Sequence, residues 1–179
     1  RFKLHIEKTY FSPRLSTERK RIYTKIKQGE VVLVMFSGIA PYPIVISKNT
    51  DAKEVWGVEL NPFAHKYAKE NKLLNKVKNV KLFLGDVNVL LPKMKKKFDR
   101  IIMPLPKGAG EFLDIALSKL KKKGIIHFYD FLEMGGLSKR EINKKIATRY
   151  GKKFKILDVV KCGQYSPGKF RVCIDFRTL

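Results

Sequence analysis

Four short stretches carry residue types suited to holding a small polar ligand, and each falls where an apolar run ends. Ser37-Gly38-Ile39-Ala40 follows the run from Val31 to Phe36, and residues this small let the backbone approach a bound molecule closely. Glu59 ends a second run, 21 positions beyond Gly38, where one carboxylate can accept both hydroxyls of a ribose. Gly85-Asp86 ends a third, and Asp86 offers an acceptor for an amino group on a flat base. Pro104-Leu105-Pro106 ends a fourth, as a rigid ledge against which such a base can dock. Taken singly, a glycine turn is punctuation, an acid at a strand end is solvated, and Asp86 is a helix N-cap. The order turn, acid, acid and proline pair is what points to an adenosyl ligand. The chain lacks both a full G-x-G-x-x-G and the second half of a dinucleotide-binding unit, which argues against a nicotinamide dehydrogenase. An adenosine joined to a sulfonium fits better. Its methyl is already an activated electrophile, so the protein needs mainly alignment, plus a base wherever the nucleophile carries a proton.

The elements that must position these residues can be read from hydrophobic period. Phe2, Leu4 and Ile6 alternate with polar residues, which predicts a half-buried strand before the turn Tyr10-Phe11-Ser12-Pro13. Ser16 to Lys27, with Ile22 and Ile26 four apart and Gln28-Gly29 behind, predicts a helix with a C-cap glycine. Residues 31–36, 55–60, 80–84, 98–103 and 124–129 read as strands, the first as a run buried on both faces. Asn61-Pro62 opens a helix through Leu74, and a further helix carries Phe112, Ile115, Ala116 and Leu120. Residues 138–150 read as helix, and 154–160 with 170–176 as a closing strand pair. Strands alternating with helices predict an α/β fold: a mostly parallel sheet, helices on both faces and an antiparallel edge. Ligands of such sheets bind outside the carboxyl ends of the strands, where the strand order reverses.

Size and charge narrow the partners. The 179 residues suit one domain, in which residues 1–28 lead into a ligand-binding unit at 29–179. Lys plus Arg total 39 against 16 Asp plus Glu, a net charge of +23, which predicts a polyanionic partner and steeply salt-dependent binding. Lys-rich surfaces of heat-adapted proteins usually gain Glu in step, and here Glu does not keep pace. The runs Lys95-Lys96-Lys97 and Lys121-Lys122-Lys123 read as solvated turns. No run reaches the roughly 18 apolar residues of a membrane span, and the start lacks the apolar core of a signal peptide, so a cytoplasmic monomer is the expectation. Cys162 and Cys173 have no metal-site spacing and read as two buried thiols that could face each other across the closing pair. No metal is expected.

The blocks Tyr10-Phe11-Ser12-Pro13-Arg14-Leu15-Ser16-Thr17-Glu18-Arg19, Met35-Phe36-Ser37-Gly38, Glu59-Leu60-Asn61-Pro62, Gly85-Asp86-Val87 and Ile101-Ile102-Met103-Pro104-Leu105-Pro106-Lys107 resemble the archaeal and eukaryotic tRNA (guanine-37-N1) methyltransferases. Gly124 to Asp130 and Tyr165-Ser166-Pro167-Gly168 continue the likeness. The resemblance implies a Rossmann-like class I methyltransferase fold, S-adenosyl-L-methionine as cofactor and tRNA as partner, with an additional tRNA-binding domain ahead of this one. It implies that Glu18 is the general base and that Arg19 orients cofactor and target base, with Pro104 and Pro106 lining the reacting centre. Arg19, Phe36, Ser37, Gly38, Pro41, Glu59, Leu60, Asp86, Val87 and Pro104 would hold the cofactor. Tyr10, Arg14, Lys107 and Tyr165 would meet the RNA.

Three departures bear on activity. The family usually carries aspartate, glycine and asparagine at positions 34, 40 and 104, where this chain has Val34, Ala40 and Pro104. Proline at 104 resembles the archaeal subgroup that also, or instead, methylates C7 of 4-demethylwyosine in wyosine biosynthesis. Two other readings stay open: transfer of the cofactor's aminocarboxypropyl portion onto the same tricyclic base, and a tRNA-binding module without catalysis.

Overall fold

The computed structural model describes residues 1–105, 107–133, 138, 140–141 and 154–179. Their strands form one sheet in the order β3-β2-β1-β4-β5-β7-β6. β1 (Val31–Met35), β2 (Glu54–Glu59), β3 (Val80–Leu84), β4 (Phe98–Met103) and β5 (Leu120–Glu133) are parallel, and all of β1 is buried. β6 (Phe154–Ser166) and β7 (Lys169–Thr178) close the sheet as an antiparallel hairpin, with β7 inserted between β5 and β6. The order runs outward in opposite directions from β1 and β4, so the crevice for a ligand lies at their carboxyl ends.

Helices cover both faces, as the alternating pattern predicts. α1 (Ser16–Thr24), α2 (Pro41–Asn49) and α3 (Pro62–Leu74) pack Ile22, Tyr42, Ile44, Ile46 and Ala68 on one face. α4 (Val87–Lys93) and α5 (Leu113–Lys119) pack Val87, Leu91, Leu113, Ala116 and Leu117 on the other. Two of these helices escape the sequence reading. α2 begins at Pro41 with Pro43 in its first turn, and two prolines after a glycine turn read as loop although proline suits a helix start. α4 is a seven-residue helix containing Pro92, too short for its period to show.

The expected strand at residues 2–6 is corrected: this segment pairs with no sheet. It crosses α3, and asparagine amides of that helix take the place of a neighbouring strand. Asn71 accepts from Lys3 N at 2.7 Å and donates to Lys3 O at 2.9 Å. Asn75 Nδ2 donates to Arg1 O at 2.7 Å, and Asn61 Nδ2 to Lys8 O at 2.9 Å. Phe2 and Leu4 are half-buried as their alternation predicts, but Ile6 is exposed.

Of the predicted helix at 138–150, residues 140–141 are helical and the rest, apart from residue 138, lies outside the described residues. β5 is longer than expected, and its lysine run 121–123 forms an exposed irregularity, with Leu120 opposite Phe98 and Ile125 already opposite Arg100. Cys173 is buried and Cys162 half-buried; both are free, and the ladder sets Val160, not Cys162, opposite Cys173.

Candidate active site

The turn after β1 is unusually strained. Phe36, Gly38 and Ala40 all have left-handed backbones, with φ of 57°, 56° and 66°. Glycine adopts this region freely, and an L-residue with a Cβ pays about 1–2 kcal/mol. Ala40 therefore stands where the backbone itself favours glycine, which gives the family's usual residue there a physical basis. A Cβ on Gly38 would meet only Tyr10 O, at 3.8 Å, so the Tyr10 backbone lies over this turn. Phe36 packs edge-on to Phe112 with ring centroids 5.0 Å apart.

The ends of β1, β2 and β3 are stitched together through Glu59. Its Oε2 accepts from Gly38 N at 2.7 Å, its Oε1 from Asn61 N at 2.8 Å, and its backbone O from Gly85 N at 2.9 Å. Each carboxylate oxygen keeps a further lone pair, so the group is held by backbone and still able to accept from a diol. Asp86 is the N-cap of α4, with its side chain accepting from Asn88 N at 2.8 Å. Around these acids Leu60 and Leu84 are 65% and 48% exposed, an unusual position for leucine and a suitable wall for a flat ring. Val87 is buried beneath, Pro41 opens α2 half-buried, and the Ser37 hydroxyl is buried without a hydrogen-bond partner. This donor and acceptor set, with its apolar flank, fits an adenosyl ligand.

Glu18 and Arg19 sit at the neighbouring end of the sheet. Both are buried on α1, whose one buried apolar residue is Ile22, with Tyr23 packed half-buried against the same cluster. The Glu18 carboxylate is clamped: Arg21 Nε and Nη2 donate to its two oxygens at 2.7 Å each, and Tyr129 Oη donates to Oε1 at 2.5 Å. The Tyr129 and Tyr42 hydroxyls are 2.9 Å apart, and burial pushes both phenols above their ordinary range. Arg19 donates to Ser12 O at 3.1 Å and lies over the Phe11 ring, 5.1 Å from its centroid. Burial lowers its pKa.

A buried polar chain continues behind this pair. Arg21 donates to Asp175 at 2.6 Å, His127 Nδ1 to Asp175 at 2.6 Å, and Arg100 Nη1 to His127 Nε2 at 2.8 Å. Arg100 in turn pairs with Glu30 at 2.7 Å. Because Nε2 faces a guanidinium that can only donate, His127 is the neutral Nδ1–H tautomer. Burial is the main cause that lowers its pKa, in agreement with that tautomer. None of Arg21, Tyr42, Tyr129, His127 and Asp175 stands out in the sequence, since Glu18 and Tyr129 are 111 positions apart and nothing local links them.

The remaining sequence candidates divide by place. Pro104 is half-buried at the end of β4, while Arg14 and Lys107 are exposed. Tyr10 and Tyr165 are 69% and 64% exposed. Pro106 lies outside the described residues. Val34, where the family usually has aspartate, is fully buried in an apolar cluster with Val32, Val55 and Ile102.

Sheet order and closing hairpin place the domain among Rossmann-like S-adenosylmethionine-dependent methyltransferase folds. Within that class the sequence is decisive: residues 1–160 match the TRM5/TYW2 methyltransferase domain, and the chain belongs to that family. It is 42% identical to the Pyrococcus abyssi tRNA (guanine(37)-N(1))-methyltransferase Trm5b, over 99% of this chain and 52% of the relative. It is 34% identical to the Saccharolobus solfataricus tRNA 4-demethylwyosine(37)-methyltransferase Taw21, over 97% of this chain and 64% of that one. Against the Methanocaldococcus jannaschii tRNA(Phe) (4-demethylwyosine(37)-C(7)) aminocarboxypropyltransferase it is again 34% identical, over 97% and 70%. A crystal structure of M. jannaschii TYW2 in complex with AdoMet superposes with a TM-score of 0.85 at 33% identity, over 99% of this chain and 82% of that one. The chain spans about half the length of the P. abyssi relative. No described helix is long and apolar enough to cross a membrane.

Proposed function

We propose that the chain is a catalytic domain that transfers methyl from S-adenosyl-L-methionine to the position-37 base of tRNA, at N1 of guanosine or C7 of 4-demethylwyosine, as a cytoplasmic monomer. The observation that carries this reading is the stitching of the strand ends by Glu59, which presents carboxylate, glycine turn and Asp86 as one fixed surface. The relatives' names support the substrate class.

When bound, S-adenosyl-L-methionine supplies the activated methyl. Glu59 would accept from its ribose hydroxyls and Asp86 from its adenine amino group, with Leu60 and Leu84 as the apolar wall for the ring. Phe36, Ser37, Gly38, Pro41 and Val87 would shape the site around it, and Pro104 would border the target base. Arg19 fixes the Phe11-Ser12 turn over this crevice. Glu18 takes the N1 proton of guanosine, a step that requires its carboxylate to be released from Arg21 and Tyr129. A ring carbon of the tricycle attacks first and loses its proton afterwards, so that substrate depends less on Glu18. Tyr10, Arg14, Lys107 and Tyr165, exposed around the crevice, meet the RNA.

A second reading, transfer of the aminocarboxypropyl portion, draws on the likeness to the M. jannaschii enzyme. One experiment separates them: incubation with S-adenosyl-L-methionine and tRNA carrying guanosine or 4-demethylwyosine at the target position, followed by nucleoside mass spectrometry. A gain of about 14 Da reports methyl and about 101 Da aminocarboxypropyl, by simple group transfer. No gain on either substrate refutes both.

A further inference from the structure

β5 outruns its parallel neighbour. Its last residue paired with β4 is Phe128, opposite Met103, yet the strand continues to Glu133. At about 3.3 Å per residue the extension rises roughly 16 Å beyond the strand ends. β7 and β6 follow it, so a three-stranded wall stands beside the crevice.

One face of this wall carries the clamp on Glu18 and, further out, an aromatic and cationic cluster. Tyr129 and Phe131 are two apart on β5, and the residues opposite them on β7 are Cys173 and Arg171, so all four share a face. Tyr129 donates to Glu18 on that face. The β6–β7 register shifts between Gln164 and Ser166, which takes Tyr165 out of the ladder. Its ring reaches across β7 to Phe131, with centroids 4.2 Å apart and planes at 38°. The Arg171 guanidinium lies over the same Phe131 ring, 5.7 Å from its centroid. Three adjacent strands thus give one flat side chain each. Tyr165 remains 64% exposed, whereas a tyrosine serving only the core would be covered. At the tip Glu133 stands opposite Lys169 in the ladder.

We propose that Phe131, Tyr165 and Arg171 form a stacking platform for one unpaired nucleobase adjacent to the target base. This rests on the reading of the chain as a tRNA-modifying enzyme. Every base has a π-face, so an exposed tyrosine backed by phenylalanine takes any of them, and the guanidinium reaches a neighbouring phosphate. A modifying enzyme that draws one base of a loop into a crevice breaks its stacking with both neighbours, and a platform beside the crevice restores one of those contacts. The chain's net charge of +23 is complementary to the RNA backbone.

The test uses this chain and tRNA carrying 2-aminopurine on either side of the target base, read by fluorescence. Emission at one of the two positions should be quenched on binding. Tyr165→Leu should abolish that quenching and raise Kd roughly 5- to 150-fold, the fold-change equivalent of one stacked base. Tyr165→Trp should preserve both, and unchanged melting temperatures of the two variants report an intact wall. Absence of quenching at both positions with the unsubstituted chain, or a Kd for Tyr165→Leu within twofold, overturns the platform while methyl transfer stands. Failure of the unsubstituted chain to bind tRNA at all overturns the platform and the enzyme reading together.

Discussion

Asp175→Ala should loosen the helix that carries Glu18 and Arg19. Ile22 and, half-buried, Tyr23 are the apolar ties of α1 to the core, so ion pairs supply much of its attachment. Asp175 is 1% exposed and accepts from Arg21 Nη1 at 2.6 Å, Lys25 Nζ at 2.8 Å and His127 Nδ1 at 2.6 Å. Burial opposes its charge, but His127, Arg21 and Lys25 outweigh burial and hold the carboxyl well below the usual carboxylate range. Alanine leaves the His127 N–H unpaired in the core, at about 1–3 kcal/mol, and strips Arg21 of a charge-assisted bond worth about 1.5–3 kcal/mol. The Lys25 side chain is 35% exposed and regains water, so it adds little. The sum, about 2.5–6 kcal/mol, brackets the usual loss of about 3–5 kcal/mol when one member of a buried pair is removed, and lowers Tm by roughly 5–24 °C at this chain length. Lys25→Ala is the control, with at most about 1 kcal/mol lost and a Tm change of about 4 °C or less. Circular dichroism melts of both variants decide the matter. If Asp175→Ala melts no lower than Lys25→Ala, the buried chain does not hold α1 and the reasoning fails.

Glu18→Gln keeps the side chain's shape and an acceptor for Tyr129 but removes its basicity. Single-turnover N1 methylation should fall about 10²- to 10⁴-fold with cofactor binding retained by calorimetry, and a fall under threefold would remove Glu18 as the base. Neutral, buried His127 has a folded pKa below its ordinary value, so the unfolded chain binds the extra proton. Stability should therefore be full above about pH 6.5 and decline as pH falls below that, with a further decline below about pH 4 as Asp175 titrates. Melts across this range check the sign: a Tm that climbs on acidification from pH 7 to 5 contradicts the neutral tautomer, and His127→Gln should flatten the upper step. In Gly57→Ala the new Cβ would stand 3.0 Å from both Leu82 Cδ2 and Ser37 Oγ. About 1–3 kcal/mol of stability should be lost and S-adenosyl-L-methionine binding weakened, because Ser37 leads the ligand turn; unchanged affinity by calorimetry would separate Ser37 from the site. Doubling the salt concentration should weaken tRNA binding roughly six-fold if three phosphates are contacted, and salt-independent filter binding would exclude the basic surface as the contact.

Much of the scaffold is local and was legible in the sequence. The continuous apolar run 31–35 demanded a strand buried on both faces, and Asn61-Pro62 fixed the start of α3, where Asn61 Oδ1 accepts from Phe63 N at 2.9 Å. Gly38, Glu59 and Asp86 could be placed at strand ends because period and turn residues mark where strands stop. Signals of that kind fail where proline suits both loop and helix start, as at Pro41 and Pro43. They also fail where alternation does not say what it packs on, as in residues 2–6, where the Lys3 backbone bonds the Asn71 amide and the His5 backbone bonds Thr9. What only the tertiary structure decided is the surroundings of Glu18. Its clamp on Tyr129 and Arg21, and the further link to Asp175 and His127, join α1 to the last strands of the sheet across 111 and 154 positions. A hydrogen bond between side chains so far apart leaves no period in the sequence, because it depends on the order in which the strands assemble and on which residues that order buries together.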